Sequence, residues 1–213
     1  MTIENEGVRE ERKLVVFFDM CSSSTILENL KNADRLGQMR NLLIETKRFL
    51  WESSEEVGFE VYKFLGDGWV LLVPEGTRGT DLLQFLTRLS ERFRASLRRL
   101  IQPYLSSKMP LLGLTFGIDE GMLIHFKMMK RTEYVGRALN VAARLQSAIK
   151  DKDKKPSYKC LLSYPAFVSL ALPRSERAKY KVKQVTRTLR NIQGGDEYRC
   201  VKLSLRLEVP LAL

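Results

Sequence analysis

The segment from Leu14 to Asp67 constrains this chain more than any other stretch. It holds an apolar run ending in an acid, a long amphipathic segment, and a second apolar run interrupted by a second acid. The first run, Leu14-Val15-Val16-Phe17-Phe18-Asp19-Met20, is rich in β-branched and aromatic residues, which predicts a buried strand. A carboxylate at the end of such a strand is costly unless something cationic meets it. In the second run, Val61 to Val73, Gly66 and Gly68 flank Asp67. Glycines there permit a tight hairpin and leave room for a ligand against the backbone. Taken singly, Asp19 is accounted for as a helix cap and Asp67 as the acid of an Asp-Gly turn. Taken together at neighbouring strand ends, they form the protein half of a Mg²⁺ or Mn²⁺ site that substrate phosphates would complete.

A third segment, Glu133 to Leu145, passes through Gly136 into an apolar helix. Asn140 and Arg144 lie four apart and so project from one helical face. An amide and a guanidinium on a face shared with apolar neighbours make poor helix design unless both meet a ligand. The three segments together resemble the catalytic core of the class III nucleotidyl cyclases, the adenylate and guanylate cyclase family. That family's F-x-D-I-x-G-F-T strand end reads here as Phe17-Phe18-Asp19-Met20-Cys21-Ser22-Ser23-Ser24. Its K-x-x-G-D hairpin reads as Lys63 to Asp67, and its G-x-x-x-N-x-A-x-R helix as Gly136 through Asn140 to Arg144. A fourth signature, a G-I-H-x-G turn, is matched by Gly117-Ile118-Asp119-Glu120-Gly121, with an aspartate where the family has histidine.

The resemblance implies an α+β, ferredoxin-like domain, a mainly antiparallel sheet flanked by helices, assembled as a head-to-tail homodimer. It implies that Asp19, Asp67 and the main-chain carbonyl of Met20 hold two divalent metal ions, Mn²⁺ or Mg²⁺. It assigns charge offset at the α-phosphate to Arg144 and ribose orientation to Asn140. Phe18, Ser22, Ser23 and Ser24 would form the phosphate loop, although the serines replace Gly-Phe-Thr. The family's C-terminal phosphate-binding lysine has no clear match, and Arg190 is the nearest candidate. Lys63 and Glu133 match the base-reading positions, with a donor and an acceptor that the edge of adenine, cytosine or uracil can meet. The extra methylene of Glu133, flanked by Tyr62 and Tyr134, is expected to narrow the pocket toward a pyrimidine. A serine-rich first loop and a Gly-Arg-Ala-Leu-Asn helix also resemble bacterial Pycsar uridylate cyclases, which make cyclic UMP in antiphage defence. The expected substrate is therefore UTP. An adenylate cyclase, or a non-catalytic nucleotide- or nucleic-acid-binding domain, are the alternatives.

The remaining features bound this reading. The formal net charge of +11 raises nucleic acid as a ligand. The cations are spread along helices, however, acids interrupt the Lys150 to Lys155 run, and no aromatic-basic platform marks a single-strand binder. A nucleic-acid partner is not expected. No apolar run approaches the ~20 residues of a membrane span. The polar start, Met1 to Lys13, lacks a signal peptide's apolar core, so a bare cytoplasmic catalytic domain without a membrane partner is expected. Cys21, Cys160 and Cys200 read as reduced thiols, and His125 as structural.

The resemblance covers a domain over 13–205, with a polar tail over 1–12 and a C-terminal tail over 206–213, and periodicity divides that domain. Within the domain it predicts one helix from Thr25 to Trp51, a hairpin over Phe59 to Val73, and a helix from Thr80 to Pro103. A strand from Leu112 to Ile118 then turns through Asp119-Glu120-Gly121 into Met122 to Met128. A helix from Val135 to Ile149, a charged loop to Ser157, a strand and short helix over Lys159 to Leu172, and strands over Tyr180–Leu189 and Glu197–Leu205 complete it.

Overall fold

The structure is a computed structural model that describes residues 7–106, 111–152, 155 and 157–207. It is a mixed α+β domain built on one eight-stranded, mainly antiparallel sheet. The chain runs β1 (Arg9–Met20), α1 (Ser23–Asn32), α2 (Leu36–Val57), β2 (Glu60–Phe64), β3 (Gly68–Pro74) and α3 (Gly79–Leu100). It continues with β4 (Leu114–Met128), β5 (Arg131–Val135), α4 (Arg137–Lys152), β6 (Lys159–Ser163), α5 (Tyr164–Ser169), α6 (Arg174–Ala178), β7 (Lys181–Arg187) and β8 (Tyr198–Ser204). The strand order is β2-β3-β1-β4-β6-β8-β7, with β5 paired to the outer half of β4. Among the described residues only β4 and β6 run parallel. Among the described residues no helix is long and apolar enough to cross a membrane.

The apolar run in β1 is continuous because both faces of the central strand are covered. Leu14, Val16, Phe18 and Met20 point into the main core, beneath α1, α2 and α3. Val15 and Phe17 point the other way, under α4 with Val70, Leu72 and Leu123. α3 sits on the main core because Leu82, Phe85, Leu86, Leu89, Phe93 and Leu97 recur on one of its faces. α4 covers the opposite face through Ala138, Val141, Ala142 and Leu145.

Several expectations are corrected. The helix expected from Thr25 to Trp51 is two helices, broken where Asp34 takes a left-handed φ of 55°. A short polar side chain tolerates that region, and apolar periodicity running from Leu30 to Met39 across the break conceals it. The Asp119-Glu120-Gly121 turn does not exist: β4 runs straight through it, paired with β1 from Arg9↔His125 to Met20↔Leu114. Its glycines serve close approach instead. A Cβ at Gly117 would overlap the Ala142 carbonyl oxygen and the Gln146 amide nitrogen, and one at Gly121 would lie 3.3 Å from the Ala138 Cβ. Asp119 itself is buried under α4, and burial pushes its carboxyl up, against a hydrogen bond from Ser163 and the charge of Arg137.

β1 starts ahead of its apolar run, at Arg9, with its polar half paired along β4. β5 and α6 were not foreseen, and α4 extends to Lys152, into the expected charged loop. Of that loop, residues 153, 154 and 156 lie outside the described residues.

The backbone contact at Gly117 gives a stability prediction. Gly117→Ala forces α4 off the sheet and should lower stability by about 3 kcal/mol, or about 10 °C in Tm. Thermal unfolding by calorimetry measures this, and an unchanged Tm would show that α4 does not rest on the strand.

Candidate functional site

Asp19 lies at the end of β1, on the face that carries Phe17 and α4 rather than the main core. Across the ladder it pairs with Gly68, the first residue of β3. Asp67 occupies the β2–β3 turn, which follows Gly66 at φ +86° and is closed by the Leu65 N–H donating to the Gly68 carbonyl at 2.9 Å. Both acids line one cleft of about 260 Å³, together with Phe17, Arg144 and Gln146. Gly68 must be glycine here: a Cβ would overlap the Phe18 carbonyl oxygen and lie 3.1 Å from Asp19 Oδ1. The space beside the Asp19 carboxylate therefore depends on a missing side chain.

The donor set of this cleft is all oxygen and anionic, which suits a hard divalent cation. Among the described residues no group of three or more His, Cys, Asp or Glu side chains gathers to hold a metal by itself. Two carboxylates fit an ion that takes its other oxygens from the main chain and from a phosphate-bearing ligand. The Met20 side chain is buried in the core, so any such role would fall to its main chain.

A second cluster forms between β2 and β5. The β2–β3 pairing slips between Val61 and Lys63, which makes Tyr62 the extra residue of a bulge. Tyr62 Oη donates to Glu133 Oε2 at 2.8 Å and accepts from the Tyr134 N–H at 3.1 Å. Lys63 Nζ donates to the same Oε2 at 3.5 Å. The Tyr62 and Tyr134 rings meet edge to face, with centroids 5.1 Å apart. The Tyr62 hydroxyl, then the Lys63 charge, hold the Glu133 carboxyl below its usual range against some desolvation. Burial pushes the Tyr134 hydroxyl up to about 12, reinforced by its bond to Glu60. The result is a fixed carboxylate beside an ammonium on an aromatic wall, a donor–acceptor edge for a planar ring. Neither Lys63 nor Glu133 lines the Asp19–Asp67 cleft.

The other expected residues divide. Arg144 lines the cleft in the same chain as both acids, whereas Asn140, one turn away on the exposed face of α4, does not. Ser22 precedes α1 with a left-handed φ of 59° and makes no side-chain cap. Its hydroxyl donates to the Leu111 carbonyl at 3.0 Å. Ser23 and Ser24 open the first turn of α1.

Phe18 cannot present its side chain here, because alternation along β1 sends it to the face opposite Asp19. It is fully buried, 5.4 Å from the Trp69 ring and 5.7 Å from Phe116. Arg190 is exposed in the β7–β8 loop, which docks on α4 through Leu189 and an Arg137 bond to the Gln193 carbonyl. It is not part of the cleft lining. His125 stacks on Tyr134 at 5.4 Å, and the three cysteines are buried and unpaired with one another.

Sequence reasoning passed over Tyr62 as a hydrogen-bonding residue, and passed over Gln146 and Thr115 altogether. Gln146 Nε2 donates to Thr115 Oγ1 at 2.8 Å and to Asp19 Oδ2 at 3.4 Å. The usable signal for Gln146 was a polar residue among the apolar positions of α4, next to buried Leu145.

No protein-family model and no curated protein matches this chain. Solved structures do. The adenylyl cyclase CyaB from P. aeruginosa superposes with a TM-score of 0.70 at 15% identity, over 97% of this chain and 100% of that one. The guanylyl cyclase Cya2 gives 0.68 at 14% identity, over 97% and 99%. A bacterial light-regulated adenylyl cyclase gives 0.65 at 16% identity over 95% of this chain, which spans 55% of that protein's length. The chain has the fold of the class III adenylyl and guanylyl cyclase catalytic domains.

Proposed function

We propose that this protein is a nucleotidyl cyclase that converts a nucleoside triphosphate, UTP in preference, to its 3′,5′-cyclic nucleotide and pyrophosphate. The observation that carries the reading is the convergence of Asp19 and Asp67 on one cleft in a domain of this fold. The ribose 3′-oxygen would form a bond to the α-phosphorus while the bond to pyrophosphate breaks, and the hydroxyl proton passes to solvent. Asp19, Asp67 and the Met20 carbonyl would hold divalent cations, Mg²⁺ or Mn²⁺, which supply 3′-hydroxyl activation and neutralisation of the leaving group.

The chain's own residues do the rest. Arg144 offsets charge developing on the α-phosphate, an effect worth a few kcal/mol at a preorganised site (about 3). Asn140 orients the ribose, which contributes through positioning. The backbone N–H groups at the start of α1, with Ser22, Ser23 and Ser24, receive the terminal phosphates, and Arg190 is a further phosphate contact. Lys63 and Glu133 read the base. They do not line the acid cleft, which favours a homodimer in which a second copy completes each site.

Two related structures carry nucleotides: a guanylate cyclase domain from Catenaria anguillulae in complex with GTP, and a rhodopsin-guanylyl cyclase of converted specificity with ATPαS. For this chain, UTP is favoured by the Glu133 side chain. Its Oε2 is taken by Tyr62 and Lys63, which would leave Oε1 to meet a base. Uracil offers an N3–H donor to that carboxylate and an O4 acceptor to Lys63. A cyclic UMP product fits the Pycsar resemblance and a messenger role in antiphage defence. ATP is the second reading, because adenine N1 and N6 can engage the same pair and because several proteins of this fold are adenylyl cyclases.

Incubation with each of the four triphosphates and Mn²⁺, followed by product identification, tests the reading. Cyclic UMP is expected as the main product, cyclic AMP would move the assignment to ATP, and no cyclic product would overturn it. Glu133→Asp should raise the ATP-to-UTP ratio of kcat/KM about tenfold by shortening the arm. Equal loss with both nucleotides would show that Glu133 supports the site without reading the base.

A further inference from the structure

We infer that Gln146 is a positioning residue that sets the orientation of the Asp19 carboxylate for its cation, an inference that rests on the metal reading above. The side chain is only 3% exposed, in the interface between α4 and β4. A buried amide in such a place costs stability unless its hydrogens are bonded. Here they are: Nε2 lies 2.8 Å from Thr115 Oγ1 and 3.4 Å from Asp19 Oδ2.

Thr115 is fully buried and sits opposite Asp19 in the β1–β4 ladder. Its hydroxyl donates to the Asp19 main-chain carbonyl at 3.4 Å. The amide and the hydroxyl thus grip both ends of one residue. On the other side, Oδ1 packs over Gly68, where a Cβ would stand 3.1 Å away. Asp19 is bracketed, with Oδ2 held by an amide and Oδ1 beside a residue that only glycine can occupy.

The backbone makes this grip rigid. Gly117 admits the Gln146 main chain so closely that any side chain on that strand residue would overlap it. The Gln146 Cα therefore has a fixed height above the sheet, and its side chain has one reach. Chemistry favours an amide over an acid at this point. A glutamate would repel Asp19 and compete with it for the cation, whereas glutamine donates to the carboxylate without neutralising it. Gln146 also follows Arg144 closely on α4, so one helix carries both the guanidinium and the group that aims the carboxylate.

The test uses the full chain and Mn²⁺ alone, with bound ion counted by electron paramagnetic resonance. Gln146→Leu keeps the volume and removes the donor. It should weaken Mn²⁺ binding about tenfold, the lower end of the loss usual when a group supporting a metal ligand is removed. Gln146→Asn, which keeps the amide but withdraws it by one methylene, should also bind more weakly than wild type. Folding of each variant is checked by calorimetry. In the unmodified protein, the Gln146 side-chain N–H₂ resonances should shift when Mg²⁺ is added.

Wild-type Mn²⁺ affinity in a folded Gln146→Leu protein, with binding abolished in Asp19→Ala, would overturn the positioning role and leave the metal reading intact. Unchanged affinity in Asp19→Ala would overturn both. If neither Gln146 variant folds, absence of the Mg²⁺-dependent shift overturns the inference.

Discussion

Asp67→Asn is expected to abolish cyclic nucleotide formation, with a fall of at least about a thousandfold in kcat, on the order that follows loss of a metal-borne charge interaction. The substitution keeps size and shape but removes the charge, so a cation in the cleft faces Asp19 alone. The fold is not at risk. The turn around Asp67 is closed by a main-chain bond between Leu65 and Gly68, and the side chain contributes nothing to that closure. Calorimetry should therefore give a Tm close to that of the parent, while product formation stays at background across a titration of Mn²⁺. Parent-level activity at any Mn²⁺ concentration would remove Asp67 from the site.

Activity should return when an inactive Asp19→Ala protein is mixed with an inactive Arg144→Ala protein. If Arg144 serves the acids of a second copy, the mixed dimer contains one interface with both substitutions and one with neither. The second is a complete site, and random mixing would restore about a quarter of the parent rate per total chain, as two-state pairing statistics of an isologous dimer require. The experiment has force because Arg144 also lines the cleft of its own chain. If light scattering shows subunit exchange and no activity returns, Arg144 acts on the acids beside it, and sharing of that residue between copies is excluded.

The acids were legible because their strands obey simple rules. Leu14 to Phe18 is apolar on both faces, as a central covered strand requires, and Gly66-Asp67-Gly68 marks a turn by composition alone. The error at Asp119-Glu120-Gly121 has the opposite origin. Glycine signals either a turn or a close neighbour, and the neighbour at Gly117, the α4 backbone, lies far along the chain. Tyr62 belongs to the same class, because a bulge is a property of a strand pair and has no local signature at Val61-Tyr62-Lys63. Phe18 failed for a simpler reason. A motif names consecutive residues, while a strand sends consecutive side chains to opposite faces.

The glycines under α4 also limit how the domain can move. The helix rests on β4 at Gly121, beneath Ala138, and at Gly117, beneath Ala142. These supports are about 6 Å apart along the helix axis. A cylinder seated on two points cannot rock about either, and the Gln146 bond to Thr115 opposes its sliding and its spin. Asn140, whose place on the axis falls between the supports, and Arg144, just beyond them, are thus mounted on a rail with no free coordinate of its own. Any opening or closing of the cleft must come from the Asp67 hairpin or from displacement of whole domains.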